Sequence, residues 1–240
     1  MTSVKTLLLT RPLGQSRSLA RDIETSFPGQ SRCLISPLML ISPMGSLPDT
    51  SNFQALLFTS VNGVKAFATL GGTSITPCFC VGARTTKAAQ DVGLNSISAN
   101  GSASDLTALV LSELDPTKGP LLYVRGENAA GDVSATLSGK GFTLVQAVLY
   151  TQKPIELTEI VKQALMRGDA LGLPLYSTLT AHRMVKVLKQ NPDWPTENLT
   201  ALCISENVGT EVRKLPFRRI EITAEPNGIE MLSLIGQYLR

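Results

Sequence analysis

The sequence predicts an α/β protein made of two doubly wound parallel-sheet lobes, joined by a two-stranded crossover hinge with a cleft between them. Three observations predict it. Short apolar strands recur, each followed by a polar turn and an amphipathic helix. The chain also resembles itself at an offset of roughly half its length, and two long extended stretches fit neither copy.

The strand-turn-helix units come in order. LLLTRPLGQSRSLARDI (7–23) runs from an apolar strand through a Thr-Arg-Pro turn into a helix. Leu13, Leu19, Ala20 and Ile23 are its expected inward face. LLFTSVNGVKAF (56–67) passes through Thr59-Ser60 and Asn62-Gly63 into a helix with Val64, Phe67 and Ala68 inward. CFCVGARTTKAAQDVGL (78–94) repeats the pattern, and its two strand thiols, Cys78 and Cys80, are expected on opposite faces of a sheet. Strands alternating with single helices imply parallel sheets covered on both sides.

Laid against itself, the chain shows an internal repeat. LLFTSVNGVKAF matches LPLYSTLTAHRMVKVL (173–188), Ser60 with Ser177. CFCVGARTTKAAQDVGL matches ALCISENVGTEVRKLPF (201–217), Cys80 with Cys203. LLLTRPLGQSRSLARDI matches LLYVRGENAAGDVSATL (121–137), Arg11 with Arg125. The offsets are about 117, 123 and 114 residues. Any two such units look alike, but three matches at similar spacing argue for two copies of one unit. Each lobe is too small for a complete dinucleotide-binding fold.

Two apolar stretches remain, SRCLISPLMLISPM (31–44) and FTLVQAVLYTQKP (142–154). Prolines 37, 43 and 154 discourage helix there. As a paired hinge they would make one lobe discontinuous, residues 1–35 with 153–240, and leave 38–149 as the other.

Composition limits the function. Net charge is +3, from 22 basic and 19 acidic residues, which excludes a polybasic nucleic-acid arm. Cys33, Cys78, Cys80 and Cys203 lie in strand-like contexts without metal-ligand spacing, and His182 is the one histidine. No metal site or cofactor is therefore expected. The N-terminal apolar run is too short for a signal peptide, and no stretch reaches membrane-spanning length. A monomer in a reducing, cytoplasmic setting is expected.

The turns suit an anion. Ligands of parallel α/β sheets sit at the carboxyl ends of the strands. Thr59 to Gly63, Val81 to Thr86 and Ser177 to Thr180 put hydroxyls, a glycine (Gly82) for close backbone approach, and helix-end amides at that edge. The same residues also cap helices without any ligand. Arg11, Arg17, Arg84, Lys87 and Arg125 lie near the turns, with Arg11 and Arg125 just past strand ends. No P-loop, GxSxG elbow, full GxGxxG or HExxH is present. His182 reads as a surface or structural residue. Tyr150, at the end of the apolar AVLY strand, could donate a proton, because a phenol is protonated at neutral pH.

A TRP turn after the first strand is followed in order by FTSVNGV, CVGARTTKAA, YVRGEN and LYTQKP, with a second serine turn later. Together they resemble the uroporphyrinogen-III synthase family over nearly the whole chain. The resemblance implies two lobes joined by a two-strand ladder, and closure of the linear tetrapyrrole hydroxymethylbilane to uroporphyrinogen III. Water is lost and the last pyrrole ring inverted, through an azafulvene and a spiro intermediate. The substrate carries eight carboxylates, which hydroxyls and helix-end amides would hold.

By this resemblance Tyr150 assists departure of the hydroxyl. The expected substrate contacts are Arg11, Thr59, Ser60, Asn62, Gly63, Gly82, Thr85, Arg125, Gly126, Ser177 and Thr178. A transient contact with the enzyme that makes the substrate is also expected. Three departures stand out. Ile204 to Val208 lacks the family's glycine and threonine and adds Glu206; Ala130 replaces a common arginine; Ser177-Thr178 replaces serine-proline. These leave open a non-catalytic tetrapyrrole- or anion-binding paralogue, and a generic binder of a phosphorylated ligand.

Overall fold

The computed structural model describes residues 4–128 and 132–240. The chain divides into two compact units, one running to Leu40 and resuming at Pro154, the other Ile41–Lys153. It opens with β1 (Lys5–Leu9), α1 (Leu13–Ser26), β2 (Ser31–Ile35) and β3 (Met39–Pro43). Next come β4 (Ala55–Phe58), α2 (Val61–Thr69), β5 (Cys78–Cys80), α3 (Ala83–Asp91) and β6 (Ser96–Ser98). Then α4 (Ala103–Glu113), β7 (Leu121–Gly126), α5 (Val133–Ser138) and β8 (Leu144–Pro154) follow. The chain ends with α6 (Glu159–Met166), β9 (Leu171–Leu175), α7 (Thr178–Gln190), β10 (Leu199–Cys203), α8 (Glu206–Val212), β11 (Arg219–Ile222) and α9 (Gly228–Leu239).

The first unit holds a sheet of order β11-β10-β9-β1-β2, parallel throughout. The second holds β3-β8-β7-β4-β5-β6, parallel from β8 to β6. Laying β9, β10, β11, β1 and β2 over β4, β5, β6, β7 and β8 reproduces the same neighbour order. The repeat is therefore a repeat of topology. In the first unit the β1-α1-β2 portion comes from the start of the chain, and β3 is an addition to the second sheet.

Central strands are apolar on both faces because helices cover both. All four residues of β4 are buried, as are all five of β9 and of β10. Side chains alternate between two cores: Leu8 joins one, Leu7 and Leu9 the other. In the second unit Leu56 and Phe58 oppose Ala55 and Leu57 in the same way. Phe58 and Phe67 meet edge to face, with centroids 5.7 Å apart, and tie α2 to β4.

Three expectations change. Cys78 and Cys80 share one core and Phe79 enters the other. Residues two apart on a strand point the same way, so the thiols lie on one face and not on opposite ones. Leu13 is exposed at the first turn of α1, whose inward face is Ser16, Leu19 and Ile23. Ser16 satisfies its hydroxyl on the Arg11 carbonyl at 2.8 Å.

The two extended stretches also differ from each other. Residues 144–154 form one strand, but 31–44 splits into β2 and β3, which belong to different sheets. Pro37 has no N–H for a ladder, and Ser36 turns its hydroxyl to the Thr158 amide at 2.8 Å. β3 lies beside β8 at the edge of the second sheet.

Candidate active site

β7 lies between β4 and β8, so three strand ends of the second unit come together. β4 delivers Thr59 and Ser60, β7 delivers Arg125 and Gly126, and β8 delivers Tyr150. Tyr150 is not at the end of its strand. It pairs with Gly126 at a bulge, and β8 runs on to Pro154.

The Tyr150 ring is 6 % exposed. Burial pushes its phenol pKa above the ordinary value, and a hydrogen bond with the Ser60 side chain opposes that. The Tyr123 phenol pushes it up further; the Arg125 guanidinium and a Gly126 backbone hydrogen bond pull it down. Burial dominates, so the phenol keeps its proton at neutral pH. Tyr123 escaped the sequence reading. Its hydroxyl is 3.4 Å from that of Thr59. Its position two residues before Arg125 on one strand, hence on the same face, was the available signal.

Ser60 caps α2 by accepting the Asn62 N–H at 3.1 Å. Its carbonyl takes the N–H groups of Gly63 and Val64. The amides of Asn62 and Gly63, expected to face an anion, are thus engaged by the cap. Gly63 is buried, with a side chain there meeting Val124 of β7. Arg125 is half-buried, and its Nε is buried without a hydrogen-bond partner among the described residues.

The next turn follows β5. Gly82 precedes α3 with an extended φ of −168° and gives no side-chain cap. A side chain there would meet Gly101 only at 3.8 Å, an ordinary contact, so the fold itself does not demand this glycine. Thr85 is buried at 5 % exposure, on the inward side of α3.

In the first unit β1 and β9 are neighbours, and their ends bring Arg11 to Tyr176. The guanidinium lies 3.9 Å over the Tyr176 ring, a cation–π contact. Ser177 caps α7, accepting the Thr180 N–H at 3.2 Å and donating to its hydroxyl at 3.0 Å. Thr178, the first residue of α7, is exposed.

The departures acquire local explanations. Glu206 pairs with Arg213, which holds its carboxyl below the usual range and offsets its charge. Ser205 precedes α8 without a side-chain cap. His182 joins Glu211 at 2.8 Å, linking α7 to α8, as befits a structural residue. Ala130 lies outside the described residues. Among the described residues, no three His, Cys, Asp or Glu side chains are grouped to hold a metal, and no helix is long and apolar enough to cross a membrane.

Comparison with known proteins adds independent findings. The family model described as uroporphyrinogen-III synthase HemD matches residues 30–233. The uroporphyrinogen-III synthase of Chlorobaculum parvum is 28% identical over 202 residues, covering 77% of this chain and 80% of that protein. The crystal structure of uroporphyrinogen-III synthetase from Helicobacter pylori superposes with a TM-score of 0.67 at 19% identity, over 99% of this chain and all of that one. A mutant uroporphyrinogen III synthase from Thermus thermophilus gives 0.54 at 15% identity, over 98% and 97%. At such identities the structural likenesses speak for the fold.

Proposed function

Because the chain belongs to the uroporphyrinogen-III synthase family, we propose that it closes hydroxymethylbilane to uroporphyrinogen III with loss of water and inversion of the last ring. The observation that carries the mechanism is the buried Tyr150, set where the strand ends also deliver Ser60 and Arg125; burial raises its phenol pKa. The electron-rich pyrrole expels the hydroxyl of its own hydroxymethyl group. As that C–O bond breaks, the Tyr150 proton passes to the departing oxygen, which leaves as water. Loss of the pyrrole N–H proton gives the azafulvene and balances the proton that Tyr150 gave up. The last ring then attacks to form a spiro carbon, which fragments and recloses with the ring inverted.

Little covalent chemistry is asked of the protein. Its larger task is to fold the substrate so that the correct carbon is the near one, which is catalysis by proximity and orientation. In this reading the Arg125 guanidinium and the hydroxyls of Thr59 and Ser60 receive substrate carboxylates. In the first unit, Arg11, Ser177 and Thr178 offer the same chemistry.

The test generates hydroxymethylbilane in situ, adds the protein, oxidises the products and separates isomers I and III by chromatography. A strong excess of isomer III is expected, against the isomer I of unassisted closure. Isomer I alone from folded protein would leave the non-catalytic reading, for which the altered turn at Ile204 to Val208 is the motivating feature.

A further inference from the structure

We propose that Gly126 is a positioning residue: the space left by its missing side chain, at the bulge opposite Tyr150, is the seat that holds the Tyr150 phenol beside Ser60. This goes beyond the expected substrate contact at Gly126, and its catalytic part rests on Tyr150 being the proton donor.

The geometry is specific. Strands β7 and β8 pair one to one from Leu121 with Leu144 up to Arg125 with Val148; Gly126 then pairs with Tyr150, leaving Leu149 as an extra residue. Such a bulge re-aims the side chains that follow it. Here it lets consecutive residues, Leu149 and Tyr150, enter the same core, where strict alternation would send them to opposite faces. The redirected ring lies flat over Gly126. A Cβ at 126 would fall 2.6 Å from two carbons of the Tyr150 ring and 3.0 Å from its hydroxyl.

Backbone conformation does not explain the glycine, since Gly126 is absent from the positive-φ residues. The requirement is spatial. The ring has little room to yield, being 6 % exposed and packed in its core. The Tyr150 carbonyl is also fixed, accepting the Glu127 N–H at 2.9 Å. Any side chain at 126 must therefore drive the phenol from its place by Ser60. The rise in the phenol's pKa, caused first by burial, fits a ring seated in that gap.

A double-mutant cycle on thermal stability tests the seat without reference to catalysis. Wild type, Gly126→Ala, Tyr150→Ala and the double variant are compared. Gly126→Ala is expected to lower Tm when Tyr150 is present and to leave it unchanged when Tyr150 is alanine. If the single variant does not fold, the double variant against Tyr150→Ala alone still decides the matter. An equal drop in both backgrounds, or none in either, overturns the proposal.

A spectrophotometric titration, with Tyr150→Phe counterparts subtracted, should show the Tyr150 phenol of Gly126→Ala titrating away from its wild-type position, because its balance of burial and hydrogen bonding changes. An unmoved titration would overturn the proposal. In turnover, Gly126→Ala, Tyr150→Phe and their combination should lose activity to within about twofold of one another, with KM little changed. Losses that multiply in the double variant would place Gly126 in contact with substrate instead. A wild-type protein yielding only isomer I would sink the proposed function, while the Tm cycle and titration would still judge the seat.

Discussion

Tyr150 holds a proton that burial discourages it from losing, and hydrogen bonding to Ser60 partly offsets that effect. Those are the properties of a hydrogen-bond or proton donor to a departing hydroxyl. Replacing it with phenylalanine keeps the ring and removes only the donor. We expect Tyr150→Phe to lower turnover by about 100-fold, the lower end for general acid catalysis. In the proposed mechanism the product should remain isomer III, because there folding of the substrate would carry the selectivity. Wild-type turnover in that variant would remove the phenol from the mechanism. A variant making isomer I would mean that the phenol also shapes the substrate.

At the scale of elements, the serine turns serve two purposes. Ser60 starts α2 and Ser177 starts α7, each by accepting a first-turn amide. Loss of such a cap costs about 1 kcal/mol, so Ser60→Ala and Ser177→Ala should destabilise the protein by similar amounts in urea unfolding. Ser60→Ala should in addition reduce turnover, since the same hydroxyl meets Tyr150. Equal stability loss with unaltered turnover would make Ser60 a cap and nothing more. The turns themselves were legible in the sequence because hydroxyl residues before an amphipathic run have a local cause. Which of their amides are spent on capping was not, since that depends on side-chain rotamers in the folded turn.

For the whole molecule, burial of ionisable groups sets the response to alkali. Desolvation pushes the thiols of Cys78 and Cys203 up to about 12 and that of Cys80 up to about 11, from 9.0. Their folded values exceed their unfolded ones, so the stability they contribute is fully present below about pH 9. It falls as pH rises from there, because the unfolded chain then loses protons that the folded one keeps. Urea midpoints should decline between pH 9 and 11 beyond the loss shown by a Cys78→Ala, Cys80→Ala, Cys203→Ala variant. At pH 8 these three thiols should resist a thiol-labelling reagent until the protein is unfolded. Rapid labelling of the native protein would mean that its sheets open readily.

Apolar runs, turn residues and helical spacing are local properties, and by themselves they determined the strand-turn-helix units and their repetition. The matched serines at 60 and 177 and the matched thiols at 80 and 203 occupy corresponding places in the two sheets. Tertiary structure decided what no local pattern encodes. It split 31–44 between two sheets, buried Thr85, and brought Tyr123 to Thr59. It also placed the extra residue Leu149 so that Tyr150 lies over Gly126. The reason is physical: strand order, bulges and ring placement follow from how distant segments fill one core, and a single side chain's room is set by neighbours far away in the chain.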